Sequence, residues 1–161
     1  IMSDACKVLD LDLVNCNKED VNFSSQYQLN MKYTDRIHGL VAWFDTPFDR
    51  LERPVMLSTS PYKKYTHWKQ TVFYMEEDLD VRENDTVYGS IACRQSTENF
   101  RELDIKISYH FDGAPQGHKT LQIFTKLSEE AIIVQSAHCE KNMGILHDYI
   151  TLSYCMSVST V

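Results

Sequence analysis

Apolar and polar residues alternate with a period of two in stretch after stretch of this sequence. The pattern is most regular where Leu103, Ile105, Ile107, Tyr109 and Phe111 interleave with Asp104, Lys106, Ser108, His110 and Asp112. Successive side chains of an extended strand point to opposite faces, so this spacing predicts a half-buried strand. The same period predicts strands over 8–14 (Leu9, Leu11 and Leu13 opposite Asp10 and Asp12), 26–33 (Tyr27, Leu29, Met31 and Tyr33 on one face) and 86–94 (Val87, Ile91 and Cys93 on one face). Residues 37–44 break the pattern, because Leu40, Val41, Ala42, Trp43 and Phe44 are apolar on both faces, as expected of a central strand covered on both sides. A short strand is expected over 55–58. Polar or charged loops are expected over 15–20, 45–54, 59–65, 76–85 and 95–101. Evenly spaced strands with turn chemistry between them and no helical period before Gly113 imply an all-β fold, an antiparallel barrel or sandwich.

After Gly113 the texture changes. Gly113-Ala114-Pro115-Gln116-Gly117 reads as a linker-like break, followed by a strand over 121–127, a helix over 128–138 opened by Ser128 with Glu129 and Glu130 in its first turn, and a strand over 149–158. The expected division is a β-domain over 1–112 and an extension over 113–161 with no assigned role, holding one helix and one or two strands.

Composition narrows the function. The 161 residues carry a net charge of -7 and a pI near 5.3, whereas a protein built to bind nucleic acid directly is usually basic. Five cysteines, widely spaced and without a C-x-x-C pair, point to reduced thiols in the cytoplasm or nucleus and away from a disulfide scaffold or structural zinc. No apolar run is long enough to span a membrane, and no signal peptide precedes the first strand. Ile1 stands before Met2, the look of a cut N-terminus, so a longer parent is expected. The sequons at Asn22 and Asn84 carry little weight without a secretory signal. None of the five glycines falls in a dinucleotide or phosphate loop, and no nucleophile elbow is present. His138, Cys139 and His147 are a poor metal set: the two histidines, nine residues apart, would lie on opposite helix faces, with Gly144 between them. His110 falls on the polar face of its strand, as a solvated residue would.

The remaining candidate chemistry lies at Tyr65-Thr66-His67-Trp68, running into a stretch where Trp68, Gln70, Val72 and Tyr74 alternate with Lys69, Thr71, Phe73 and Met75. A strand is expected from Trp68 onward. A Thr-His-Trp triplet at its mouth puts a hydroxyl, an imidazole and an indole N–H side by side. That can be a satisfied polar group at a sheet end or the wall of a binding cleft. The five aromatics from Tyr62 to Tyr74 are expected to serve core and cleft packing rather than base stacking.

The run from Tyr65 to Tyr74 resembles the Thr-His-Trp loop and following strand of type I, S-adenosylmethionine-dependent protein arginine methyltransferases. Other stretches fall in family order at family spacing: Met2-Ser3-Asp4-Ala5-Cys6, His38-Gly39-Leu40-Val41-Ala42-Trp43-Phe44-Asp45, Leu57-Ser58-Thr59-Ser60-Pro61 and Arg101-Glu102-Leu103-Asp104-Ile105. Together they cover residues 1–112. The resemblance implies the C-terminal β-barrel of an enzyme whose Rossmann-type cofactor domain carries S-adenosylmethionine and the paired glutamates that clamp the guanidinium. It implies that His67 supports catalysis by pairing with an aspartate outside this chain, and that Thr66, Trp68 and Tyr65 line the substrate cleft. The parent would be a homodimeric transferase acting on arginine-rich proteins such as histones and RNA-binding proteins, in cytoplasm or nucleus. This chain alone would bind no cofactor or metal and would be inactive. Two features depart from the family pattern. Lys63-Lys64 leads into Tyr65 where a neutral or proline-containing approach is expected, and 113–161 resembles nothing in the family's short tail. The rival expectation is a stand-alone β-sandwich interaction module that regulates a methyltransferase or binds arginine-rich proteins.

Overall fold

The computed structural model describes residues 1–99, 102–113, 117–127 and 151–159, with side chains for 1–99 and 102–111. Nine strands account for most of them: β1 (Cys6–Asp12), β2 (Phe23–Asn30), β3 (Asp35–Phe48), β4 (Val55–Ser58), β5 (Thr71–Val81), β6 (Thr86–Gln95), β7 (Leu103–Gly113), β8 (Gly117–Leu127) and β9 (Thr151–Ser159). One sheet runs β1-β9-β3-β4, with β5 also paired to β3; the other runs β2-β6-β7-β8. Every strand pairing among the described residues is antiparallel.

Alternation places the core between the sheets. Ile105, Ile107, Tyr109 and Phe111 of β7 are buried beside Val87, Ile91 and Cys93 of β6 and Tyr27 and Leu29 of β2, and they meet Leu40, Phe73, Met75 and Leu79 from the other sheet. β3 is central, as its two-faced apolarity predicts: β9 lies along one side of it, and β4 and β5 lie end to end along the other. Leu40 and Val41, neighbours that point to opposite faces, are both buried. At one point sheet packing requires glycine. Gly89 lies in register between Tyr27 and Tyr109. A Cβ on Gly89 would run into the Tyr27 ring and the Ser108 carbonyl oxygen. The Tyr27 ring thus crosses the bare strand, and its hydroxyl donates to Ser108 O at 3.0 Å.

Several boundaries differ from the sequence reading, each for a local reason. β1 stops at Asp12 because that residue turns the chain: its carboxylate accepts from Val14 N (3.0 Å) and Asn15 Nδ2 (2.7 Å), and its carbonyl from Cys16 N (2.8 Å). β2 begins three residues earlier than expected and leaves Tyr33 exposed, while Met31 bridges to Ser3. β3 continues through Phe48 into the expected loop because β4 pairs with 45–48. The charged stretch after Tyr74 is strand as far as Val81, not a turn. Ile37 pairs with Leu79 and Gly39 with Tyr74, so His38 alone faces residues 75–78. The extra residues bulge outward with Glu76, Glu77 and Asp78 exposed, and Leu79 and Val81 then return to the core.

The division expected at 112/113 meets continuous pairing. Gly113 is in register with Gly117, β8 pairs with β7 along its length, and β9 lies between β1 and β3. The helix expected over 128–138 falls outside the described residues.

Candidate functional site

The loop between β4 and β5 is anchored by hydroxyls. Thr59 is 1% exposed; its N–H and its Oγ1 both donate to Phe44 O at 3.0 Å, and its Oγ1 accepts from Phe44 N at 3.0 Å. This carries the β3–β4 pairing one residue past the end of β4. A relay of small hydroxyls continues outward: Ser58 donates to the Asp45 carboxylate, Ser60 N donates to Ser58 Oγ at 3.1 Å, and Tyr62 N donates to Ser60 Oγ at 3.3 Å. At the far end, Gln70 Nε2 donates to Thr59 O at 2.7 Å and closes the loop on its own start. The Leu57-Ser58-Thr59-Ser60-Pro61 run is therefore a staple, with Ser58, Thr59 and Ser60 all buried. Polar groups are tolerated there because each is hydrogen bonded.

Inside that frame, Lys69 N donates to Thr66 O at 3.4 Å, a turn that puts His67 and Trp68 at its corners. Lys69 has φ 55°, the left-handed region that a long side chain rarely adopts. The strand expected from Trp68 therefore begins only at Thr71: no pleat runs through a left-handed residue. The turn also makes neighbours of the two rings. His67 and Trp68 have centroids 4.1 Å apart at 34°, and Trp68 meets Phe44 of β3 edge-on at 6.1 Å and 65°. Trp68 is half-buried on the sheet end, and His67 sits on it, exposed.

The four expected site residues thus share one loop but differ in exposure. Trp68 is wedged, His67 is presented outward, and Tyr65 is 76% exposed. Thr66 is half-buried, yet its Oγ1 is shut off from solvent and finds no hydrogen-bond partner among the described residues. Lys63, Lys64 and Lys69 stand exposed around them, and residues 61–70 hold no acidic side chain. Tyr62 and Tyr74, expected to pack, are 63% and 62% exposed, so of the five aromatics only Phe73 enters the core. Phe44, Thr59 and Gln70 build the turn's support, a role that strand spacing and motif order do not assign them. The run of three hydroxyl residues before Pro61 was their visible signal. His110 is half-buried on the outer face of β7; His138, Cys139 and His147 lie outside the described residues.

Comparison with known proteins follows the same residues. Residues 1–114 match the family model described as the arginine methyltransferase oligomerization subdomain. The chain is 44% identical over 112 residues to protein arginine N-methyltransferase 1 of Schizosaccharomyces pombe, covering 70% of this chain and 33% of that protein. It is 44% identical over 108 residues to the Saccharomyces cerevisiae protein of the same name, covering 66% and 31%. It thus spans about a third of the length of these curated relatives. The fold is similar to a chain of the Trypanosoma brucei arginine methyltransferase 1 enzyme–prozyme heterotetrameric complex with AdoHcy, at TM-score 0.74 and 29% identity, covering 79% of this chain and 40% of that one. Arabidopsis thaliana protein arginine methyltransferase 10 shares the fold at TM-score 0.71 and 21% identity, covering 78% and 39%. With its ordered motifs lying on two antiparallel sheets and its first 114 residues matching the family model, the chain belongs to the protein arginine methyltransferase family, as its C-terminal β-barrel portion.

Proposed function

We propose that this chain is the barrel part of a protein arginine N-methyltransferase and that the 61–70 loop forms one wall of the cleft receiving the substrate arginine. The observation that carries the reading is the stapled turn: a rigid sheet end that presents His67 outward on a wedged Trp68. A guanidinium is protonated near neutral pH and must be oriented, charge-balanced and relieved of a proton as it is methylated. One histidine and one indole can shape and dry that environment but cannot supply the negative charge. Trp68 gives an apolar wall held by Phe44. His67 is placed to meet a carboxylate brought by the covering domain, and so to hold the two halves in register. Tyr65 and Thr66 line the rim.

S-adenosylmethionine supplies the electrophilic methyl group when bound. None of the five glycines has the spacing of a dinucleotide loop, so its site is assigned to a Rossmann-type domain of the parent. The relatives' name, and AdoHcy in the trypanosome complex, support this cofactor for the parent. The family model's description and that heterotetramer support self-assembly, with a homodimer the simplest form. Arginine-rich proteins, histones and RNA-binding proteins among them, are the proposed substrates, in cytoplasm or nucleus.

Two experiments test this. An immunoblot of the native protein with antibody to residues 61–74 is expected to show a band well above 18.8 kDa. A band at that mass would favour the interaction-module reading. Titration calorimetry of the purified chain with S-adenosylmethionine is expected to show no binding; stoichiometric binding would overturn the assignment of the cofactor site to another domain.

A further inference from the structure

The loop that leads to His67 carries charge of the wrong sign for a basic substrate. Lys63 and Lys64 are exposed just before Tyr65, Lys69 is exposed just after Trp68, and residues 61–70 hold no carboxylate, in a chain whose net charge is -7. Other cations of the chain meet acidic groups: Lys7 reaches Asp10 at 2.6 Å, Arg36 reaches Asp80 at 2.7 Å and Arg94 reaches Asp104 at 3.3 Å. Among the described residues no ion pair involves Lys63 or Lys64. Their backbone is tied down all the same. Lys63 N donates to Ser60 O at 3.0 Å, and Tyr62 N donates to Ser60 Oγ at 3.3 Å. The two ammonium groups are therefore carried by a turn built on the hydroxyl staple, on the approach to Tyr65.

We infer that Lys63 and Lys64 are specificity-determining residues, selecting arginines with an aspartate or glutamate close by in sequence and disfavouring arginines set among other cations. The inference rests on the cleft-wall reading above and narrows its substrate class. Lys64 precedes His67 by three residues, at most about 11 Å of extended chain. Charges at physiological salt act over about 8 Å, and an extended peptide advances about 3.3 Å per residue. The pair thus acts on residues within roughly four positions of an arginine held against this wall. A carboxylate there is attracted, and a second cation is repelled; repulsion of the wrong partner discriminates as well as attraction of the right one.

The test uses the intact methyltransferase and two peptides with the same central arginine, one flanked by glutamates and the other by lysines. The quantity read is kcat/KM for the glutamate peptide divided by that for the lysine peptide, in which any general loss of activity cancels. Lys63→Gln/Lys64→Gln is expected to lower this ratio about fivefold, the scale of two exposed charge contacts, mainly through KM. Lys63→Glu/Lys64→Glu is expected to lower it further, and both shifts should shrink in about 0.5 M salt. A ratio that neither variant moves, or that either raises, would overturn the inference. His67→Ala keeps the two readings apart. Lost turnover in that variant, beside a ratio indifferent to the lysines, would remove the specificity role alone. Full turnover there would sink the cleft-wall assignment itself.

Discussion

Gly89, Tyr27 and Tyr109 sit side by side on three strands, and the glycine is what lets the Tyr27 ring lie flat across the sheet. Gly89→Ala drives a methyl into that ring and into the Ser108 carbonyl. It is expected to cost about 2 kcal/mol, or roughly 4–8 °C in Tm for a chain of this size. A thermal melt within a degree of wild type would mean that the ring can move aside. Burial also sets the ionisation of this region. It pushes the Tyr109 phenol up to about 12, helped by Glu77 and Glu76, and it raises Tyr27 with help from Tyr109. Because the folded pKa values lie above the ordinary phenol range near ~10, their stabilising effect is whole below that range and is lost as pH rises through the folded values. Urea midpoints are therefore expected to fall steadily above pH ~10, and less steeply in Tyr27→Phe. The buried thiol of Cys93 is likewise pushed up to about 11, chiefly by desolvation, so it should stay unalkylated at neutral pH until the chain unfolds. Peptide mapping after iodoacetamide treatment checks this, and rapid native labelling of Cys93 would contradict it. The sequence shows the alternating core positions plainly. It does not show that Gly89 lies under a tyrosine, because the crossing depends on the register of β2 against β6, which is set at long range.

Among the elements, the β4–β5 loop depends on Thr59 more than on any residue of the Thr-His-Trp triplet. Thr59→Val keeps the shape but removes the hydroxyl that both accepts from and donates to the Phe44 backbone, leaving Phe44 N without that acceptor. A loss of about 1–3 kcal/mol is expected, with looser packing of Trp68 on Phe44. Tryptophan fluorescence should shift to the red alongside the lower denaturant midpoint; an unchanged spectrum would show that the turn stands without its staple. The strand cores of this region are legible from period-two spacing, but its edges are not. Lys69 at φ 55° ends the apparent alternation before Thr71, and nothing in the residue type announces it, since glycine or asparagine is the usual occupant of that conformation. The bulge opposite His38 is hidden in the same way. Glu76-Glu77-Asp78 looks like a turn, and only the return of Leu79 and Val81 to the core marks it as strand.

At the scale of the whole molecule, the order β1-β9-β3 makes the last strand an interior part of its sheet, with Leu11 in register with Leu152 and Trp43 with Cys155. Removing residues 151–161 should expose the facing edges of β1 and β3 and abolish a cooperative thermal transition, as followed by circular dichroism. A truncated chain that melts as sharply as the full one would show that β9 is dispensable. The spacing predicts a strand over 149–158, but not that it lies between β1 and β3, because that place depends on pairing with strands far away in the chain. The fold class and the motif order are legible in the sequence, and so is the place of the Thr-His-Trp turn; its hydroxyl staple and the left-handed Lys69 are not. The most direct test is methyl transfer by the intact enzyme carrying His67→Ala, with His67→Gln beside it and folding checked by Tm. The expected result is a fall in kcat of about tenfold or more at an essentially unchanged Tm, with glutamine recovering little because its amide cannot replace the ring that lies against Trp68. Wild-type turnover in the alanine variant would contradict the assignment of this turn to the active-site cleft.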